Sequence, residues 1–135
     1  MANLAFLKHK SLMLAKLAQE LINHSWYTQS VHCSYYSALQ MMKYTLACYN
    51  DETMRISLED QEIQSRGASS HQYLEGKILE RMSKPSEKVS FKEKIKFLKN
   101  ERVAADYTDR NFESEEAIDC IDTSKAIKGL LDKMV

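Results

Sequence analysis

The sequence has few of the residues that build turns. Of its 135 residues only three are glycine and one is proline, whereas proteins on average contain about 7% and 5% of these residues. Sheet proteins need many turns, and glycine and proline are prominent in them. The scarcity of both predicts an all-α protein. A chain of this length is expected to form a single domain over residues 1–135.

Features of disulfide-rich, zinc-binding and membrane proteins are also missing. The three cysteines, Cys33, Cys48 and Cys120, are far apart and form no C-x-x-C pair, so neither a disulfide framework nor a zinc site is expected. No apolar run approaches the roughly 20 residues of a membrane span. Lysines interrupt the leucines near the N-terminus, unlike in a signal peptide. We therefore expect no metal, no cofactor, no membrane association and a cytoplasmic location.

The sequence has no excess of charge of one sign. Its 19 basic and 19 acidic residues give a formal net charge of zero, which argues against holding nucleic acid by bulk charge. Acidic residues nevertheless gather between Asp51 and Glu62, and basic residues gather later in the chain, at Lys88, Lys92, Lys94, Lys96 and Lys99. Any site for RNA or nucleotide is therefore expected to be small and local.

Apolar residues recur with helical spacing along most of the chain. We predict an up-and-down helical bundle with four main helices plus a short helix. The main helices are expected at about 4–23, 27–49, 90–106 and from 114 onward, and the shorter helix at 70–83. A further short helix is expected near 56–63, within a long connection over 50–69. The second helix is apolar on nearly all sides, which indicates a central position.

Local signals also predict where two of the helices begin. Residues 90–93 read S-F-K-E, the form of a capping box, and predict that the helix expected at 90–106 starts there. Ser114 precedes two glutamates and is predicted to cap the last helix.

A charged pair interrupts the apolar stripe of the helix predicted at 90–106. Arg102 falls in the middle of this stripe and Asp106 lies beside it, four residues on. One interpretation is structural, either as an exposed ion pair or as a buried pair that sets the packing register. The other is a polar pocket in which the planar guanidinium of Arg102 binds phosphate. The stripe consists of Phe91, Ile95, Leu98 and Ala105.

Other polar and aromatic residues are candidates beside this pair. His71 lies near a helix start, where anions are favoured, although a solvated helix-end residue is the simpler interpretation. Lys99 belongs to the basic group on the helix of Arg102. We therefore name Arg102, His71 and Lys99 as candidates for phosphate or RNA binding. On the second helix, His32 is predicted to lie at the surface or edge and Tyr35 in the core.

Four short motifs follow one another along the chain. Residues 35–39 read Y-Y-S-A-L, 70–71 read S-H, 102–107 read R-V-A-A-D-Y and 115–117 read E-E-A. In this order they resemble the motifs of small HEPN-domain proteins (higher eukaryotes and prokaryotes nucleotide-binding), nearest to a bacterial subgroup with R-x-x-A-D-Y. The resemblance extends over roughly Leu4 to Met134, which is nearly the whole chain.

The resemblance implies what such a protein does. It implies a homodimer and a toxin-like role beside a nucleotidyltransferase antitoxin. It also implies binding of RNA or nucleotide phosphate and a metal-independent ribonuclease activity. By the same resemblance Arg102, Asp106 and Tyr107 are the candidate catalytic residues. Arg102 is expected to bind phosphate, Asp106 to orient it and Tyr107 to contact substrate.

The sequence departs from the nuclease members at one point. In those members four to six residues separate the arginine from a histidine. Counted from Arg102, the corresponding positions in this chain are Tyr107, Thr108 and Asp109, and none of them is a histidine. A tyrosine, with an ordinary pKa near 10, is a poor general base at neutral pH. The alternative hypothesis is therefore a non-enzymatic protein-interaction module in which the pair of Arg102 and Asp106 is structural.

Overall fold

The computed structural model describes residues 4–67 and 69–135 of the chain. These residues form six α-helices and no strand, which confirms the prediction of an all-α bundle. The helices are α1 (Ala5–Asn23), α2 (Tyr27–Ala47), α3 (Leu58–Gln64), α4 (Ser70–Arg81), α5 (Pro85–Tyr107) and α6 (Ser114–Asp132). Residues 1–3 of the predicted domain and residue 68 of the predicted 50–69 connection lie outside the described part.

Helix α2 occupies the centre of the bundle. It packs against each of the five other helices, and more than half of its 21 residues are buried. Val31, Ala38 and Leu46 are completely inaccessible to solvent. The prediction that the second helix is central is therefore correct, because a helix that is apolar on most of its faces can be covered only from several sides.

Small serines allow α1 and α6 to pack closely on α2. The hydroxyls of Ser11 and Ser37 each donate to the other residue's backbone carbonyl, at 2.8 and 2.7 Å. Ser30 donates to a carbonyl of α1 at 2.8 Å, and Ser124 of α6 donates to the carbonyl of Ser34 at 2.8 Å. Buried hydroxyls that find partners in this way contribute about 1 kcal/mol each to stability.

The start of α5 differs from the prediction. The helix begins at Pro85 rather than at Ser90. Proline is favoured in the first helical turn because its fixed φ angle is already helical and its missing N–H would have no partner there. Ser90 is therefore inside the helix, where its hydroxyl accepts a hydrogen bond from Nζ of Lys94 at 2.9 Å.

The start of α6 is within one residue of the prediction, but the capping residue was wrong. The N-cap is Glu113, and Ser114 is the first helical residue. The side chain of Glu113 accepts from the backbone N–H of Glu116, whose own carboxylate accepts from the N–H of Glu113 at 3.0 Å. This reciprocal pair satisfies two amide groups that the helix itself leaves open.

One face of α1 stays uncovered. Phe6, Met13 and Leu17 lie on the same side of the helix and are each 46–50% exposed. Trp26, at the corner between α1 and α2, is 59% exposed. Among the described segments, none of the helices combines the length and the apolar character that crossing a membrane requires.

Candidate functional site

Arg102 points into the bundle rather than into solvent. Only 7% of its surface is exposed. Its guanidinium carbon lies 5.0 Å from the ring centre of Tyr35, 6.0 Å from that of Tyr36 and 5.8 Å from that of Tyr107. Aromatic faces attract cations at such distances. Three tyrosine rings therefore surround the charge.

The polar groups around Arg102 leave part of its guanidinium unpaired. Its nearest carboxylate oxygen, Oδ2 of Asp106, lies 3.6 Å from Nη1, which is longer than a hydrogen bond. Its Nε atom is buried and has no hydrogen-bond partner among residues 4–67 and 69–135. A buried guanidinium is costly unless its donors are bonded. Among the described residues, the Nε–H of Arg102 is therefore left without an acceptor.

Arg81 shows how this fold satisfies a structural arginine. Its side chain is buried to the same degree, 7% exposed against 9% for Arg102. Nε and Nη2 of Arg81 donate to the carbonyl of Met54 at 3.0 and 2.8 Å, and Nη1 donates to the carbonyl of Lys77 at 2.8 Å. Arg102 makes no comparable set of bonds to the backbone, so its environment differs from that of a purely structural arginine.

Asp106 links Arg102 to a histidine from another helix. Nδ1 of His32 lies 2.8 and 3.1 Å from the two carboxylate oxygens of Asp106. An ionised carboxylate only accepts hydrogen bonds, so Nδ1 of His32 carries a proton, and in the neutral form of the ring the lone pair is on Nε2. The His32 side chain is 47% exposed. A solvent-accessible imidazole held in one tautomer by a carboxylate can act as a general base.

His71 approaches the same group of residues from the first turn of α4. Its Nδ1 atom is hydrogen-bonded to the hydroxyl of Tyr35, and the two rings stack with centres 5.3 Å apart. Burial lowers the pKa of His71, and the nearby charges of Arg102, Lys99 and Lys43 lower it further. All three charges are positive, so the imidazole lies in a region of positive potential.

The hydroxyl of Tyr35 determines which nitrogen of His71 is a donor. Burial raises the pKa of Tyr35 above its ordinary value, so the hydroxyl keeps its proton and donates to Nδ1. The neutral His71 ring then carries its own proton on Nε2. Tyr36 packs against both histidines, with ring centres 4.6 Å from His32 and 6.3 Å from His71. We call this group the Arg102 cluster; it comprises His32, Tyr35, Tyr36, His71, Arg102, Asp106 and Tyr107.

Most of the residues named from the sequence meet in this cluster. Arg102, Asp106, Tyr107 and His71 belong to it, and Lys99 lies close enough to influence the pKa of His71. Asp109 does not join it, since α5 ends at Tyr107.

The sequence analysis did not predict that His32 contacts Asp106. It placed this residue at the surface or edge, and the ring is indeed half exposed, but its contact with Asp106 was not foreseen. The sequence could have predicted the contact of His32 with Tyr36, because residues four positions apart on a helix lie on the same face. The contact with Asp106 crosses between helices and has no such signal. Among the described residues, no three histidine, cysteine or acidic side chains are grouped so that they could hold a metal ion.

Comparisons with known proteins add no family assignment. Neither a protein-family model nor a curated protein matches the chain. Three of the four motifs that resemble HEPN domains contribute side chains to the Arg102 cluster, namely those at residues 35–39, 70–71 and 102–107. The resemblance itself rests on the sequence.

Proposed function

We propose that the Arg102 cluster binds a phosphate group of RNA or of a nucleotide. One observation carries the proposal: the carboxylate of Asp106 faces both a buried guanidinium with an unbonded Nε and the oriented ring of His32. Guanidinium groups bind phosphate oxygens through several parallel N–H bonds. An anion beside the cluster is attracted by a guanidinium charge whose nearest carboxylate oxygen lies 3.6 Å away, beyond hydrogen-bond distance.

The charge around His71 supports an anionic ligand. Arg102, Lys99 and Lys43 all act on this imidazole, and its Nε2–H is a further donor. His71 also lies in the first turn of α4, where the helix dipole favours negative charge. A chain with no net charge thus acquires a local positive site.

The exposed members of the cluster indicate the direction of ligand entry. Tyr107 is 75% exposed and is the last residue of α5. The His32 side chain is 47% exposed. A phosphate that approaches Arg102 from solvent therefore meets these two side chains first, and the ring of Tyr107 lies over the guanidinium that it must reach.

The same arrangement supports cleavage of a bound RNA, and this is the second part of the proposal. Nε2 of His32 takes the proton of a ribose 2′-hydroxyl, and the 2′-oxygen attacks the adjacent phosphorus. The bond from phosphorus to the 5′-oxygen breaks, and that oxygen takes a proton from water. The hydroxide that remains takes the proton from Nε2 of His32, which restores the base. The products are a 2′,3′-cyclic phosphate and a 5′-hydroxyl. Arg102 stabilises the charge that develops on the phosphate oxygens, and His32 takes the role of base that Tyr107 fills poorly.

Binding is tested with single-stranded RNA and purified protein by fluorescence anisotropy. Arg102→Met is expected to raise the dissociation constant about tenfold or more, since it removes charge-assisted bonds. The matched control is Arg66→Met, which removes an exposed arginine of equal charge from the C-terminal side of α3. Unchanged RNA affinity in Arg102→Met overturns the proposal. An equal loss of RNA affinity in Arg102→Met and Arg66→Met also overturns it, because binding would then depend on the total positive charge of the protein and not on Arg102.

Cleavage is tested on the same RNA in EDTA. We expect the wild-type protein to yield 2′,3′-cyclic phosphate ends. His32→Gln is expected to bind RNA but to leave it intact. If the wild type binds RNA through Arg102 without cutting it, the cleavage step is wrong and the binding proposal stands.

A protein-interaction module is the second candidate function, and the uncovered face of α1 favours it. Phe6, Met13 and Leu17 form an apolar stripe of a kind found where proteins associate. The stripe offers a surface for a second copy of the chain or for a nucleotidyltransferase partner. In this case Met13→Lys abolishes association in analytical ultracentrifugation or in co-purification with that partner, and Arg102→Met leaves association unchanged.

A further inference from the structure

A groove of ≈ 520 Å³ adjoins the Arg102 cluster. His32 and Asp106 belong to the cluster and also line the groove. The larger apolar and aromatic side chains that line it are Leu17, Leu21 and Trp26. Asp106 therefore connects the two sites directly, because its carboxylate also lies 3.6 Å from Nη1 of Arg102.

The backbone holds Trp26 in place although its ring is exposed. Ser25 adopts a left-handed conformation with φ +62°, which non-glycine residues rarely adopt. The N–H of Trp26 donates to the carbonyl of Leu21 at 2.8 Å. A strained turn with this bond fixes the corner, yet the tryptophan remains 59% exposed. Strain of this kind is often found at functional sites.

We infer that this groove binds the aromatic base of the nucleotide whose phosphate is held by Arg102, an inference that rests on the proposed function. Small-molecule sites of this size are mostly apolar with a few polar groups at their edges. The groove has this composition, since Thr28, Gln29, His32 and Asp106 supply its polar groups. Trp26 offers a face on which a base stacks, as aromatic side chains do in single-strand recognition.

The polar residues that line the groove favour a base over an apolar side chain of a protein partner. An apolar side chain seated in the groove takes Asp106 and His32 out of water without offering hydrogen bonds in return, and such burial is costly. A nucleobase presents both a flat apolar face and ring nitrogen and oxygen atoms. It therefore suits a groove that is lined both by Trp26 and by polar side chains.

Trp26 is the only tryptophan of the chain, so tryptophan fluorescence, excited selectively over that of the tyrosines, reports on this groove. The probes are adenosine and uridine monophosphate, with ribose 5-phosphate and inorganic phosphate as ligands without a base. We expect the nucleotides to change the tryptophan emission and to bind about tenfold more tightly than ribose 5-phosphate. Calorimetry supplies the affinities for variants that lack tryptophan.

Substitution of Trp26 distinguishes the contribution of the base to binding affinity from that of the phosphate. Trp26→Leu is expected to lower nucleotide affinity to that of ribose 5-phosphate and to leave ribose 5-phosphate binding unchanged. The control is Leu12→Ala, which truncates an exposed apolar side chain of α1 that does not line the groove; it is expected to change neither affinity.

Three results overturn the inference. If ribose 5-phosphate binds through Arg102 as tightly as the nucleotides do and Trp26→Leu changes neither affinity, the base lies elsewhere and the proposed function still stands. If Trp26→Leu instead changes the sedimentation of the ligand-free protein and not its nucleotide affinity, the groove is a protein interface. If none of the four ligands binds, both the inference and the binding of nucleotide phosphate are wrong.

Discussion

Nδ1 of His32 lies 2.8 Å from Oδ1 of Asp106, a residue 74 positions further along the chain. This contact joins α2 to α5 at the point where Arg102 is buried. The same carboxylate also lies 3.6 Å from Nη1 of Arg102, so one side chain is next to both the imidazole and the guanidinium. The Asp106 side chain is 20% exposed.

Removal of His32 is expected to separate catalysis from binding. If the proposed cleavage takes place, His32→Gln lowers kcat by about 100-fold or more, as the loss of a general base does, with little change in KM. Asp106→Asn lowers kcat less, because the imidazole stays but loses its fixed tautomer. Steady-state kinetics on a short RNA provide the measurement. A raised KM with unchanged kcat contradicts the assigned role of His32.

Arg102 and Arg81 are expected to differ in their contribution to stability. Arg81→Met leaves backbone carbonyls of Met54 and Lys77 without their donors, which is expected to cost about 2–3 kcal/mol in the free energy of unfolding. Arg102→Met is expected to cost less than about 1.5 kcal/mol, because Asp106 keeps His32 as a partner. Urea denaturation of the two variants measures both costs.

The comparison of these two arginines also decides between the structural and the functional interpretation. A loss in Arg102→Met as large as that in Arg81→Met supports a structural pair. A small loss in stability combined with loss of RNA affinity supports a binding site.

The stability of the protein is expected to decrease as His71 becomes protonated. Its folded-state pKa lies below the ordinary value of 6.5, so between these two values the unfolded chain binds a proton that the folded chain does not. Above about pH 6.5, His71 therefore does not lower the free energy of unfolding. As the pH falls from there towards the folded-state pKa, protonation of the unfolded chain lowers that free energy. His71→Gln removes this part of the pH dependence, as unfolding in urea at about pH 7.5 and about pH 5 will show.

A bound anion has the opposite effect on the same histidine. Negative charge beside the imidazole favours its protonated form, so phosphate or nucleotide raises the pKa of His71. Titration of the histidine ring protons by NMR, with and without ligand, measures the change. An unaltered His71 titration at saturating ligand shows that the anion binds away from α4.

Ser25→Gly is expected to stabilise the protein. Glycine adopts the left-handed conformation of residue 25 without the steric cost that serine pays there. Glycine also loses more conformational entropy on folding, which offsets part of this effect. We expect a net increase of about 0.5–1 kcal/mol in the free energy of unfolding. Thermal unfolding measures it. Ser25→Ala is the control, since it removes the same hydroxyl but keeps the Cβ atom; an equal gain in both variants assigns the effect to the hydroxyl.

Helical periodicity made much of the fold predictable. The bundle, the central position of α2 and the pairing of Arg102 with Asp106 all depend on spacing within single helices, which the sequence displays directly. Helix starts were less predictable, because neighbouring residues compete for the same role. Pro85 began α5 ahead of Ser90, and Glu113 capped α6 in place of Ser114.

By itself, then, the sequence determined which residues form helices and that a charge lies on the apolar stripe of α5. Only the tertiary structure decided what surrounds that charge. The contacts of His32 with Asp106 and of Tyr35 with His71 cross between helices, and they depend on how α2 is rotated and positioned against α5 and α4. Periodicity within one helix carries no information about that register, because it is set by the side chains packed between the helices.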